Sequence, residues 1–303
     1  MTRWFHRTWH SDVAYSFRQS PVAMAAGLIA FACLFCAVFA NWVAPHNPFD
    51  LATLELSDAF LPPLWLADGN PKYLLGTDDQ GRDILSALMF GARISLMVGL
   101  ASVMLSAAVG VSLGLLAGFV GGRLDAFIMR VCDVMLSFPV ILIALLIAGV
   151  GRALFPDAPS AMVLGVLVLS ISLSGWVQYA RTVRSSTLVE RNKEYVQAAR
   201  LTGVSSLRIM RRHVLPNVLG PVMVLATIQV ATAIITEATL SFLGVGAPPN
   251  SPSLGTLIQV GNKFLFSGNW WITVFPGTML VLIALSVNLL GDWLRDALNP
   301  RLR

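Results

Sequence analysis

Charge is what this sequence has least of. Asp, Glu, Lys and Arg make up 12% of its 303 residues, about half the ~25% of a soluble domain. So little solvated surface excludes a disordered chain and an ordinary soluble enzyme of one or two domains. Lysine is scarcer still: Lys72, Lys193 and Lys263 follow Pro71, Asn192 and Asn262. A P-loop needs Gly-Lys-[Ser/Thr] to hold phosphates, so none of the three completes one. The cysteines are Cys33, Cys36 and Cys132, all in or beside apolar segments. An odd count gives no disulfide framework, and no second Cys or His pair completes a zinc site with the C-x-x-C. His6, His10, His46 and His213 are scattered. No G-x-S-x-G, H-E-x-x-H or C-x-x-C-H occurs, so covalent chemistry on a substrate is not expected.

What is abundant is apolar: 56% of residues, with a mean hydropathy of +0.72. Crossing ~30 Å of hydrocarbon takes about 20 apolar residues as helix. Six runs qualify, near 21–44, 93–119, 131–150, 160–180, 217–244 and 271–291. The first exceeds the ~7–15 apolar residues of a signal peptide, although Val38-Phe39-Ala40 resembles a cleavage site, and it reads as a retained anchor. The third contains Pro139, and Arg130 and Asp133 crowd its start.

Charge then sets the orientation. The segment 45–92 has Lys72 and Arg82 against seven acids, whereas 181–216 has eight basic residues against Glu190 and Glu194. Arg3, Arg7 and Arg18 precede the first span, and Arg295, Arg301 and Arg303 follow the last. Both termini and the 181–216 loop are therefore expected in the cytoplasm and 45–92 outside. Topology accounts for the net charge of +5, and no nucleic-acid partner is implied. The expected organisation is an N-terminal segment 1–20, a span 21–44, an outer loop 45–92, a five-helix core 93–291 and a tail 292–303.

The 181–216 loop reads as two short helices around Gly203, which suits a helix C′ position. Glu190, Glu194, Ala198 and Ala199 fit the first helix, Ser205 or Ser206 could cap the second, and Pro216 opens the fifth span. Such a loop suits either a soluble partner or the leaflet surface. Gly110, Gly114 and Gly118 allow close helix packing, against this chain or another. Glu237 lies roughly 30 Å along its helix from Pro216, near the outer boundary. It either lines or gates a pathway, together with Ser241, or is paired and holds the helix end. The acids of 75–83 lack the spacing of a calcium loop.

Gln197-Ala198-Ala199, Gly203 and His213-Val214-Leu215-Pro216 resemble the E-A-A-x3-G-x9-I-x-L-P signature of permease subunits of binding-protein-dependent ABC importers, with Gln197 for the usual Glu and His213 for an apolar residue. Leu75–Asp83, Gly91–Leu96, Glu237–Gly244, Pro248-Pro249, Ser253-Leu254-Gly255, Gly291–Asp296 and Pro300-Arg301 resemble one branch of that family, the second permease of dipeptide, oligopeptide and nickel importers. The resemblance implies an all-α polytopic protein of the type I permease fold in a bacterial inner membrane. It implies that Glu194, Gln197, Ala198, Ala199, Arg200, Gly203, Val204, Leu215 and Pro216 couple to an ATPase. It further implies a homologous second permease, two P-loop ATPases that bind the ATP and Mg, and an outer solute-binding protein. The cargo implied is a peptide, with nickel or another small solute as the alternative. A self-sufficient secondary transporter is the reading from another class.

Overall fold

The computed structural model describes residues 12–50, 54–248 and 250–297. Arg3, His6, Arg7, His10, Pro249, Pro300, Arg301 and Arg303 lie outside them. The regular elements among the described residues are helices, joined by turns and irregular segments, with one isolated bridge, Thr77 to Asp83, in the loop before residue 84.

Helix α1 (Asp12–Gln19) leads into α2 (Pro21–Val38). The Ser20 side chain accepts the Ala23 amide and Pro21 takes the first helical position, where its missing N–H costs nothing. The first expected span ends early, at Val38, and Ala40–Val43 forms a separate short turn. Helix α3 (Ile84–Val120) begins nine residues before the expected 93, so the outer loop ends at 83. Asp83 caps it by accepting the Ser86 amide at 3.0 Å, and Gly121, at φ +73°, ends it.

The third expected span, 131–150, is not one helix. Helix α4 (Gly122–Leu136) and α5 (Val140–Leu154) meet at 88° across Ser137–Pro139. Proline has no N–H to donate and drives the residue before it out of the helical region, so the ladder stops there. Helix α5 alone, about 22 Å long, is short for a crossing; the pair together counts as one broken span beside five long apolar helices.

Helix α6 (Ser160–Glu190) outlasts the expected 160–180 because its last three turns are polar yet continue the ladder. Glu190 thus closes α6 rather than joining the next helix, α7 (Glu194–Leu201). A single turn, α8 (Ser206–Ile209), runs through a wider π turn (Met210–Val214) into α9 (Leu215–Phe242), with Pro216 in its first turn. Ser205 stands at the start of α8 but makes no capping bond. Helices α10 (Leu254–Asn262) and α11 (Trp271–Ala297) complete the fold, and α11 continues unbroken through Pro276.

The main core joins α3, α6 and α9 through Val98, Leu115, Leu167, Tyr179, Val218 and Leu240, and extends into the 191–214 turn through Val196, Ile209 and Val214. A second core lies at the opposite end, where Ile84, Leu254, Trp271 and Ile272 pack together. Over it sits the loop that precedes α3, tied down by Trp271 Nε1 donating to Thr77 O at 3.0 Å. In that loop Arg82 and Asp78 form a buried pair, Nε to Oδ2 2.5 Å. Gly76 has φ +81°, and a Cβ there would stand 2.5 Å from Leu61 O, so only glycine fits.

Candidate functional site

The expected coupling loop is an ordered unit. Arg191 leaves the end of α6 and its Nη1 donates to Gly118 O at 2.7 Å, satisfying a carbonyl in the last turn of α3. Lys193 Nζ pairs with Glu190 at 2.8 Å. The Tyr195 hydroxyl donates to the Glu190 carboxylate and accepts from Asn217 Nδ2 at 3.0 Å. Asn217 also donates to His213 O at 2.7 Å. One phenol therefore ties α7 to the end of α6 and to the start of α9. Burial first, then the bond to Glu190, pushes its pKa up to about 12, so it remains a donor at any physiological pH.

Helix α7 ends in a Schellman motif. Gly203, at φ +78°, donates its amide to Arg200 O at 3.0 Å, and the Val204 amide reaches Ala199 O at 3.1 Å. Val196 is fully buried, and Ala199, Val204 and Leu215 pack half-buried against the core. Glu194, Gln197, Ala198, Arg200, Gly203 and Pro216 are exposed, with the Arg200 guanidinium 5.1 Å from the centre of the Phe119 ring. Leu201 is 91% exposed and Leu207 61%. The loop thus presents a firm unit on which Leu201 and Leu207 are exposed, as are Arg200, Arg208, Arg211 and Arg212.

Gly110, Gly114 and Gly118 face α6 of this same chain. A Cβ on them would come within 2.4 Å of Trp176 O, 2.4 Å of Ala180 O and 2.7 Å of Thr187 Cβ. Further along the seam, Ser106 Oγ donates to Ser172 O at 3.1 Å and Ser172 Oγ to Ser102 O at 3.1 Å.

Glu237 and Ser241 are enclosed. Glu237 accepts from Ser95 Oγ at 2.7 Å and Ser241 Oγ at 2.6 Å. Ser95 Oγ also accepts the Leu254 amide at 3.3 Å, and Ser241 Oγ the Ala247 amide at 3.0 Å. The carboxylate thereby pins α3, α9 and the start of α10 together, and neither residue reaches an open surface.

A cavity with mixed walls lies elsewhere, Val103, Val140, Ile171 and Ala233 forming its apolar part. Ser106 of α3, Ser174 and Gln178 of α6, and Gln229, Thr232 and Thr236 of α9 line it too, and its volume is about 120 Å³. None of these was singled out by the sequence reading, nor was Tyr195. The two glutamines stand out in retrospect as amides within apolar runs.

A profile described as "Binding-protein-dependent transport system inner membrane component" matches residues 110–303. A second, "N-terminal TM domain of oligopeptide transport permease C", matches 7–63. The chain is 40% identical to the di/tripeptide transport system permease protein DppC of Pseudomonas aeruginosa (strain UCBPP-PA14), over 95% of this chain and 91% of that one. It is 42% identical to the dipeptide transport system permease protein DppC of Escherichia coli (strain K12), over 95% and 91%. Among solved structures, an inward-facing form of the MetNI methionine ABC transporter shares the fold, with a TM-score of 0.56 at 20% identity over 70% of this chain and 96% of that one. The six helical crossings, the ordered loop between α6 and α9 and these matches converge: the chain belongs to the inner-membrane components of binding-protein-dependent transport systems, as a multi-pass ABC importer permease subunit.

Proposed function

We propose that this subunit forms half of an alternating-access pathway for di- and oligopeptides in a bacterial inner membrane, with both termini in the cytoplasm. It works with a homologous second permease, two ATPases that bind ATP and Mg, and an outer binding protein. The observation that carries the coupling role is the α7 face. Its buried Val196 and its tie through Tyr195 make it part of the span framework, while Leu201 and Arg200 stand out from it. Closure of the ATPase pair against that face would move the ends of α6 and α9 together and turn the pathway from inward-open to outward-open. The peptide cargo follows the relatives, whose names specify dipeptide or di/tripeptide transport.

The test is to tag the subunit in its native membrane, extract it in mild detergent and identify stoichiometric partners. A second permease and P-loop ATPases should co-purify. Gly203→Pro should strip the ATPases away, because proline is locked near φ −65° and the site needs +78°. Recovery of the subunit alone, with uptake that needs no ATP, would instead establish the secondary transporter. Titrating the co-purified binding protein with dipeptides and with nickel separates those two cargoes.

A further inference from the structure

Gln178 and Gln229 lie at the same depth, about 18 Å from the end of α6 and about 21 Å from the start of α9, both counted from the basic end. Both amides border the cavity between these helices, and neither makes a hydrogen bond among the described residues. The hydroxyls around them bond back to backbone carbonyls, Ser174 to Ile171 O at 2.8 Å and Thr236 to Thr232 O at 2.8 Å, which leaves their lone pairs free. Two unpaired amides facing hydrocarbon would cost several kcal/mol, so this face meets water, a polar ligand or polar groups of a partner helix. No charged side chain lines it.

From this juxtaposition we infer that Gln178 and Gln229, with Ser106, Ser174, Thr232 and Thr236, are this subunit's contact surface for the backbone of a translocating peptide. Each glutamine offers two N–H donors and a carbonyl acceptor, the complement of a peptide unit's own C=O and N–H. A neutral, hydroxyl-rich lining bonds the feature that all short peptides share and discriminates little by side-chain charge. This inference rests on the peptide reading given above.

The test uses the complete importer in proteoliposomes with saturating loaded binding protein, and compares ATP-driven uptake of Ala-Lys and Ala-Glu. Gln229→Glu should raise the Lys-to-Glu uptake ratio about tenfold over wild type, and Gln229→Arg should lower it by a similar factor, since opposite charges attract and like charges repel in a partly desolvated groove. The binding protein's own preference divides out of that comparison. Unchanged ratios in both variants, with uptake retained, would overturn the inference and leave the cavity to a partner helix. If both variants lose uptake, Thr232→Cys in a chain with Cys33, Cys36 and Cys132 replaced by Ala decides. Modification by a membrane-impermeant thiol reagent, slowed during peptide turnover, supports the groove; no modification overturns it. A wild-type importer that takes up neither peptide overturns the peptide reading itself, an outcome separate from a groove failure.

Discussion

The two faces of α6 differ sharply in what they meet. Toward α3 it meets glycines whose missing side chains let backbones touch, and serines that bond across to main-chain carbonyls. Toward α9 it borders a cavity with two amides left unbonded. At the α3 seam the contacts are glycines of α3 against Trp176, Ala180 and Thr187 of α6, whereas the α9 side adds two glutamines to its serines and threonines. The comparison teaches that within a membrane span the size of a polar or neutral residue decides between closing a seam and opening a path. Small residues vanish into contact, whereas long amides hold space and demand a partner.

The seam should be the harder face to alter. Gly114→Leu places a Cβ where only 2.4 Å separates it from Ala180 O, so the helices must part, at a cost of about 3 kcal/mol or more. Size-exclusion chromatography in detergent should show loss of monodisperse protein. Gly165→Leu, on α6 with nothing within 4 Å, should behave as wild type, and equal damage from both would erase the contrast. Next in size is the polar pin. Glu237→Ala removes the acceptor of two buried hydroxyls and should cost about 1–3 kcal/mol, lowering the melting temperature. Glu237→Gln should lower it less, since its carbonyl still accepts. The smallest effect concerns the outer loop and should spare both faces of α6. The Tyr73 hydroxyl, 2.7 Å from Asp58, holds that carboxyl below the usual range. A lowered folded value means the bond stabilises above the unfolded carboxylate pKa, ~3.9, and is lost as pH falls through the folded one. Amide protection over residues 58–77, measured relative to the intrinsic exchange rate at each pH, should therefore fall below about pH 4 in wild type, while Tyr73→Phe should show low protection already at neutral pH.

Much of this was legible in the residues. Hydropathy places five of the six crossings, and the interval Gly110, Gly114, Gly118 marks a packing edge, though only the fold assigns its partner. Gly203 is readable as a helix stop because few other residues tolerate that φ. Pro139 was visible too, but an apolar window averages across it and misses an 88° turn. Arg93 masked the true start of α3 because an exposed arginine can ride on a helix face without ending it. Glu237 reads as a lone acid in a span, and its pairing with Ser95, 142 positions away in sequence, is a property of the fold. The same holds for Gln178 and Gln229: each is an evident oddity, and only the approach of α6 to α9 makes them a pair.

The length of α6 has a mechanical consequence. Its 31 residues make a rod of about 46 Å, some 16 Å more than the ~30 Å hydrocarbon slab. Its projecting end carries the Glu190–Tyr195 link, and its flank is locked to α3, so the two helices form one stiff beam. A shift of about 5 Å at one end of such a beam turns it by roughly 6°, a small rotation of the kind that packed helices sustain by sliding. The beam has little freedom to split along its glycine edge. Tyr195 and Asn217 tie that beam to α9 at one end and Glu237 ties α3 to α9 at the other, so a short stroke at the projecting end would be carried by all three helices as one body.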